Sequence, residues 1–330
     1  MNIITKVILA LLFGLFMSII IAIFLIPFLK KQKLNQRLSS YLKKDHDSKK
    51  NNPTFGGIIF IFPSVFFIII LLLLNKINFS FNLIIVLITF ILYFLIGFID
   101  DYLIVKKNNN KGLSENIKFL LQLIVSIIFF YLFMKAGNEP LLWIHTLGLK
   151  INIGFLYGFL ILFILLASSN AVNLTDGLDG LATGLSIIAF TTFGIITLYT
   201  GWLEGYIEIS LFCFCLVGSL FGFLIFNINP AKIFMGDTGS LALGAVLGSI
   251  AILTRHELLL ILIGFVFVIE TLSCIIQRIY YKITKKRIFL MTPLHHTFEK
   301  LGYKEVSIVR FFWLIGFICS MIALTFGVLL

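Results

Sequence analysis

Apolar residues in this chain run in blocks separated by short polar loops. Ten such blocks stand near 3–29, 57–75, 82–98, 117–135, 153–169, 181–200, 207–226, 239–253, 258–280 and 308–330. Most come close to the roughly 20 residues that a helix needs to cross a bilayer. Backbone groups in lipid must bond within their own segment, so each block is expected to be a helix. The pattern predicts an all-α polytopic membrane protein: a bundle of about ten transmembrane helices forming one integral-membrane domain over residues 1–330, with no separate soluble domain. The first block has no basic leader and no small-residue cleavage site, so it is expected to be retained as a helix.

Composition supports this picture. The chain is 60% hydrophobic and 12% charged, with a mean hydropathy of +1.08. A soluble domain would carry roughly 25% charged residues. The four cysteines, Cys213, Cys215, Cys274 and Cys319, all fall in apolar blocks and are expected to pack as small hydrophobes.

Charge orients the bundle. Alternate loops hold 21 of the 26 Lys and Arg residues, and the other side has Lys6, Lys76, Lys135, Lys150 and Arg255. Positive-inside counting therefore predicts both termini outside the cytoplasm. The net charge of +11 becomes a property of the cytoplasmic face. That face suits anionic headgroups and an anionic soluble substrate. All seven aspartates, Asp45, Asp47, Asp100, Asp101, Asp176, Asp179 and Asp237, fall on the same side.

Several of these residues stand in patterns that carry chemistry. Asp100 and Asp101 end the third block. Adjacent carboxylates repel, and persist most easily beside a cation or with one protonated. Asn173, Asp176 and Asp179 recur every three residues in Asn170–Ala182, a spacing that would align them on one helical face. Phe234-Met-Gly-Asp-Thr-Gly-Ser places Asp237 at the mouth of the eighth block, as a helix cap, a magnesium ligand or both. His295 and His296 lie in the last basic segment, where they could meet a phosphate or a sugar diphosphate. Lys49 and Lys50 would attract phosphate, and Thr54-Phe-Gly-Gly57 permits a tight approach to the second block. Glu270 is the one carboxylate deep in a span, equally suited to a functional or a structural role.

In this order, the paired aspartates, the Asn170–Ala182 run, the Phe234–Gly244 run and Pro293-Leu-His-His-Thr-Phe-Glu resemble the polyprenyl-phosphate N-acetylhexosamine-1-phosphate transferase superfamily along essentially the whole chain. The last run and Pro53–Gly57 are similar to the branch that uses UDP-N-acetylmuramoyl-pentapeptide. The resemblance implies that undecaprenyl phosphate attacks the β-phosphate of this donor, giving lipid I and UMP in peptidoglycan synthesis, with Mg2+ required. It implies a magnesium ligand at Asp237, and a pair handling the lipid phosphate at Asp100 and Asp101. Asn173, Asp176, Asp179, Asn227 and Phe234 match nucleoside- and diphosphate-site positions; Lys49, Thr54, Gln277, His295 and His296 match further substrate positions. The expected partners are the two substrates, membrane lipids and, as a candidate, a second copy in a homodimer; nucleic acid is not expected. The expected location is the bacterial cell membrane, with the active site at its cytoplasmic face. Thr297 stands where the family usually has a third histidine. The alternative within the superfamily is transfer of N-acetylglucosamine 1-phosphate. A transporter of an anionic solute would need charged residues along a membrane path, and Glu270 alone is deep in a span.

Overall fold

The structure is a computed structural model that describes residues 2–32, 34, 52–107, 112–144 and 148–329. Lys49 lies outside the described residues, as do Asp45, Asp47 and Lys50.

Twelve α-helices account for most of the described chain: α1 (Ile3–Lys31), α2 (Gly57–Leu73), α3 (Phe81–Lys107), α4 (Glu115–Lys135), α5 (Leu156–Thr175), α6 (Leu181–Leu198), α7 (Tyr206–Asn227), α8 (Gly236–Leu253), α9 (Glu257–Ile263), α10 (Phe265–Thr284), α11 (Leu294–Lys300) and α12 (Glu305–Leu324). Eight are long and apolar enough to cross a membrane. The chain is thus an all-α polytopic membrane protein. The second expected block forms α2, a shorter apolar helix of 17 residues.

The ninth block is not one continuous helix. It breaks at Gly264 into α9 and α10, which meet at 87°. Glycine is a common site of sharp bends. The sequence also gives α10 a reason to leave the bundle. Its buried residues, Val266, Phe267, Glu270 and Ser273, lie in its first half, while Arg278 and Lys282 follow in the exposed second half.

A second departure is a small antiparallel hairpin, β1 (Leu141–Ile144) and β2 (Leu149–Asn152), in the link between α4 and α5. Its register pairs Leu141 with Asn152 and Ile144 with Leu149. Two four-residue strands in a loop leave too short a pattern for the block reading to register.

Helix α8 forms the centre. Every residue from Thr238 to Leu253 is buried. Helices apolar on all sides are the ones a bundle encloses. Gly239, Ala242, Gly244, Ala245 and Gly248 keep α8 thin, so that α3 and α5 pack closely on it. Outer helices instead expose large apolar side chains, such as Phe16 and Phe24 on α1 and Phe311 and Phe317 on α12, as a lipid-facing surface requires.

Helix α1 lies against α7 at Gly218, where a β-carbon would fall 2.1 Å from the Leu11 carbonyl oxygen. Overpacking of this kind costs about 1–3 kcal/mol. Gly218→Ala is expected to lower the melting temperature in detergent by several degrees. An unchanged midpoint would contradict the close α1–α7 approach.

Candidate active site

The site is built around the buried N-terminus of α8. A helix start leaves N–H groups without internal partners. Here no side chain from the preceding loop caps it. The cap comes from α3: Asp101 accepts from the Asp237 N–H at 3.3 Å, the Thr238 N–H at 2.9 Å and the Thr238 hydroxyl at 2.5 Å. Both carboxylate oxygens of Asp101 are therefore engaged. Gly236 makes the approach possible: φ is +72°, and a β-carbon would lie 2.3 Å from Thr54 Oγ1 and 2.4 Å from Asp101 Oδ2. Asp237 is not the cap that the sequence allowed. It lies in the first turn of α8, with its carboxylate turned to α4 and α5.

Lys118, one turn into α4, bridges two of the aspartates. Its ammonium lies 2.7 Å from Asp237 Oδ2 and 3.2 Å from Asp100 Oδ2. Asp100 Oδ1 accepts from the Leu113 N–H at 2.7 Å. Asn173 in the last turn of α5 donates to Asp237 Oδ1 at 2.7 Å and to Ser240 Oγ at 2.8 Å. Asp100, Asp101, Asn173 and Asp237 thus converge from α3, α5 and α8. Lys118, Thr238 and Ser240 are not among the candidates that the sequence pattern singles out. A lysine just inside an apolar block was the signal available for Lys118.

The expected single helical face of Asn173, Asp176 and Asp179 does not form. Helix α5 ends at Thr175, and 176–180 is a turn before α6. Asp176 is partly buried in that turn. Desolvation, with the nearby Asp237 and Asp179 carboxylates, raises its pKa to about 7. Asp179 faces elsewhere: it accepts from the Ala231 N–H at 3.0 Å and Asn229 Nδ2 at 3.1 Å, while its own N–H donates to Glu305 at 2.7 Å. Two-residue spacers between the polar positions mislead here, because glycines follow both aspartates and stop the helix.

The remaining candidates divide into two groups. Phe234 joins the chain before α2 to the start of α8, donating to Pro53 O and accepting from the Gly56 N–H, each at 2.9 Å. Thr54 is buried beside Gly236, and its hydroxyl has no hydrogen-bond partner among the described residues. Asn227 accepts from the Thr183 hydroxyl at 2.6 Å and donates to Ile233 O at 3.0 Å, bracing the loop that leads to Phe234. Gln277 lies away from the acidic cluster and accepts from the Ile288 and Phe289 N–H groups, both at 3.0 Å. His295 is buried between Glu270 and Gly177, and burial lowers its pKa despite the carboxylate beside it. His296 Nδ1 lies 2.6 Å from Glu299 Oε2. Thr297 is engaged with the Met291 backbone.

The donor set suits magnesium, which takes one or two carboxylates together with substrate phosphates. Lys118 already places a cation between Asp100 and Asp237. No group of three or more His, Cys, Asp or Glu converges as a metal cage among the described residues. Asp237 is the carboxylate that could contribute to a metal here.

Because Asp176 titrates higher in the folded protein than in the unfolded chain, the folded state holds the extra proton between about pH 4 and 7. The stability that this proton contributes is present at the acid end and lost as pH rises through 7. Asp176→Asn should therefore raise the melting temperature over wild type at pH 8 and leave it nearly unchanged at pH 4. An equal difference at both pH values would contradict the raised pKa.

Comparison with known proteins gives the family. The family model "Glycosyl transferase family 4" matches residues 83–255, from α3 through the end of α8. A phospho-N-acetylmuramoyl-pentapeptide-transferase of Geobacillus sp. (strain WCH70) is 42% identical over 318 residues, covering 96% of each chain. Proteins of the same name from Shouchella clausii and Staphylococcus epidermidis are 43% and 44% identical, over 94% and 96% of this chain and 94% and 97% of their own. The chain belongs to glycosyl transferase family 4 and, within it, to the phospho-N-acetylmuramoyl-pentapeptide-transferase family.

Proposed function

We propose that the chain is a single integral-membrane transferase domain that moves phospho-N-acetylmuramoyl-pentapeptide from UDP to undecaprenyl phosphate, forming lipid I and UMP for peptidoglycan synthesis. The observation that carries this reading is the convergence of Asp100, Asp101, Asn173 and Asp237 with Lys118 at one end of the bundle, in a family whose relatives bear that activity in their names. We place the protein in the bacterial cell membrane with this cluster at the cytoplasmic face. The Lys and Arg distribution supports that orientation.

The reaction exchanges one pyrophosphate linkage for another. An oxygen of the lipid phosphate bonds to the donor's β-phosphorus, and the bond to the oxygen bridging toward the α-phosphorus breaks, releasing UMP. Such transfers are accelerated mainly by positioning and charge neutralisation. Asp101 is committed to holding the start of α8. Asp100 is therefore better placed to orient the lipid phosphate and to take its proton when it arrives as the monoanion. Asn173 orients the Asp237 carboxylate, and Lys118 supplies positive charge at the reacting phosphates. Asp237 would hold the magnesium ion, which when bound would neutralise the diphosphate. Thr54, with its unpartnered hydroxyl, is a donor available to a phosphate oxygen.

Purified protein given undecaprenyl phosphate, magnesium and each UDP-sugar in turn should release UMP fastest from UDP-N-acetylmuramoyl-pentapeptide. Equal or faster release from UDP-N-acetylglucosamine would reject the donor assignment. Asp237→Asn keeps the shape of the side chain and removes its charge. It should lower kcat about a hundredfold or more, some 2.7 kcal/mol of transition-state stabilisation. Substantial turnover at saturating magnesium would remove Asp237 from the metal site.

Orientation is tested separately. A cysteine introduced by Lys286→Cys should react with an impermeant thiol reagent only from the cytoplasmic side. One introduced by Lys76→Cys or Lys150→Cys should react only from outside. The reverse pattern would overturn the topology.

A further inference from the structure

We propose that Glu270 is a positioning residue for the transfer reaction, acting through His295 to fix the Asp176–Gly177 turn against the acidic cluster. The inference rests on the reading of that cluster as the transfer site.

Glu270 lies in α10, just past the 87° bend, and is fully buried. A carboxylate buried in an apolar segment persists only where its oxygens are bonded. Both oxygens of Glu270 face one residue. The His295 N–H, in the first turn of α11, donates at 3.2 Å to Oε1 and at 3.4 Å to Oε2. Oε2 also lies 3.3 Å from His295 Nδ1. The carboxylate thus holds the start of α11 and lies within ion-pair distance of the imidazole, whose two ring nitrogens make no hydrogen bond among the described residues.

His295 is fully buried as well, and the far side of its ring rests on the turn after α5. A β-carbon on Gly177 would fall 2.3 Å from Nε2 and 2.9 Å from Cε1. That contact admits no residue larger than glycine unless the imidazole moves. Gly177 follows Asp176, whose N–H donates to Asn173 O at 3.2 Å, and Asn173 Nδ2 in turn donates to Asp237 Oδ1 at 2.7 Å. Contact therefore runs unbroken from the α10 carboxylate through the α11 imidazole and the turn to the acidic cluster. Asp179 anchors the other end of the same turn to Asn229 and Ala231. The turn is held at two points, and Glu270 supplies the one nearer Asp176.

A carboxylate that only anchors α11 would affect α11 alone. A positioning residue alters a segment that it does not touch. Amide hydrogen exchange of peptides covering 173–182 reads this without any turnover. Glu270→Ala should speed exchange there, and Glu270→Gln, whose amide oxygen can still accept the His295 N–H, should restore much of the protection. In the UMP-release assay Glu270→Ala should lower kcat about tenfold to a hundredfold, with KM for both substrates nearly unchanged. Combined with Gly177→Ala, which displaces the same imidazole, the losses should not add. Unchanged exchange in 173–182, or additive losses in the double variant, would overturn the proposal. If Glu270→Ala does not fold, Glu270→Gln and Gly177→Ala carry the same comparison. Absence of UMP release from the wild type would refute the transfer reading, while the exchange data would still decide whether Glu270 acts through the turn.

Discussion

A helix that begins inside a membrane protein must have its first N–H groups satisfied by protein, because lipid offers them nothing. Helix α8 begins in this way, at the centre of the bundle, and Asp101 from α3 meets the requirement. Much else follows from that one contact. It sets the depth of α3 against α8. It places Asp100, the next residue back along α3, beside Asp237 and Lys118. It also demands a residue without a side chain at position 236. The partial positive charge of the helix start favours carboxylates at this point. Structure and chemistry thus draw on the same electrostatic feature.

The charges in the cluster are unevenly compensated. Asp101 has backbone amides and a hydroxyl, and Asp100 and Asp237 share one ammonium. Asp176 is desolvated and has carboxylates for neighbours, and both raise its pKa. A cluster left short of positive charge is suited to a substrate that arrives with a cation, and is poorly suited to a bare diphosphate. The proposed need for a cation can thus be argued from charge balance, separately from family membership.

Much of the fold was legible because lipid imposes a simple rule on sequence. Eight of the ten apolar blocks are single helices long enough to cross a membrane, and another is the shorter α2. The broken ninth block was not legible as a break, since Gly264 sits in a run whose hydropathy barely changes. The hairpin at 141–152 was too short to leave a pattern. Within the site, Asp100, Asp101 and Asp237 stood out because carboxylates are rare in so apolar a chain. Lys118 was obscured by being one of many lysines at loop edges. The three-residue spacing of Asn173, Asp176 and Asp179 suggested a helix, and the glycines after each aspartate decided for a turn. Asp179 and Gln277 carry the polar chemistry expected of ligands, yet each is bonded to the protein's own backbone. Only coordinates reveal that difference.

The contrast between the two ends of α10 bears on how such a site stays organised. Helices α3, α5 and α8 hold the cluster by close backbone packing, which small residues along α8 permit. Helix α10 turns away from the bundle at Gly264 and exposes its second half, so packing alone gives it little hold on the centre. Polar contacts compensate. The Gln277 carbonyl binds the backbone that leads away from α10, and the Glu270 carboxylate binds the start of α11. Such bonds are directional where apolar packing is not, and they fix orientation as well as distance. A segment that must sit outside the bundle and still present His295 to an inner turn needs that directional hold. This accounts for a fully buried carboxylate in a helix where lipid would otherwise select against one.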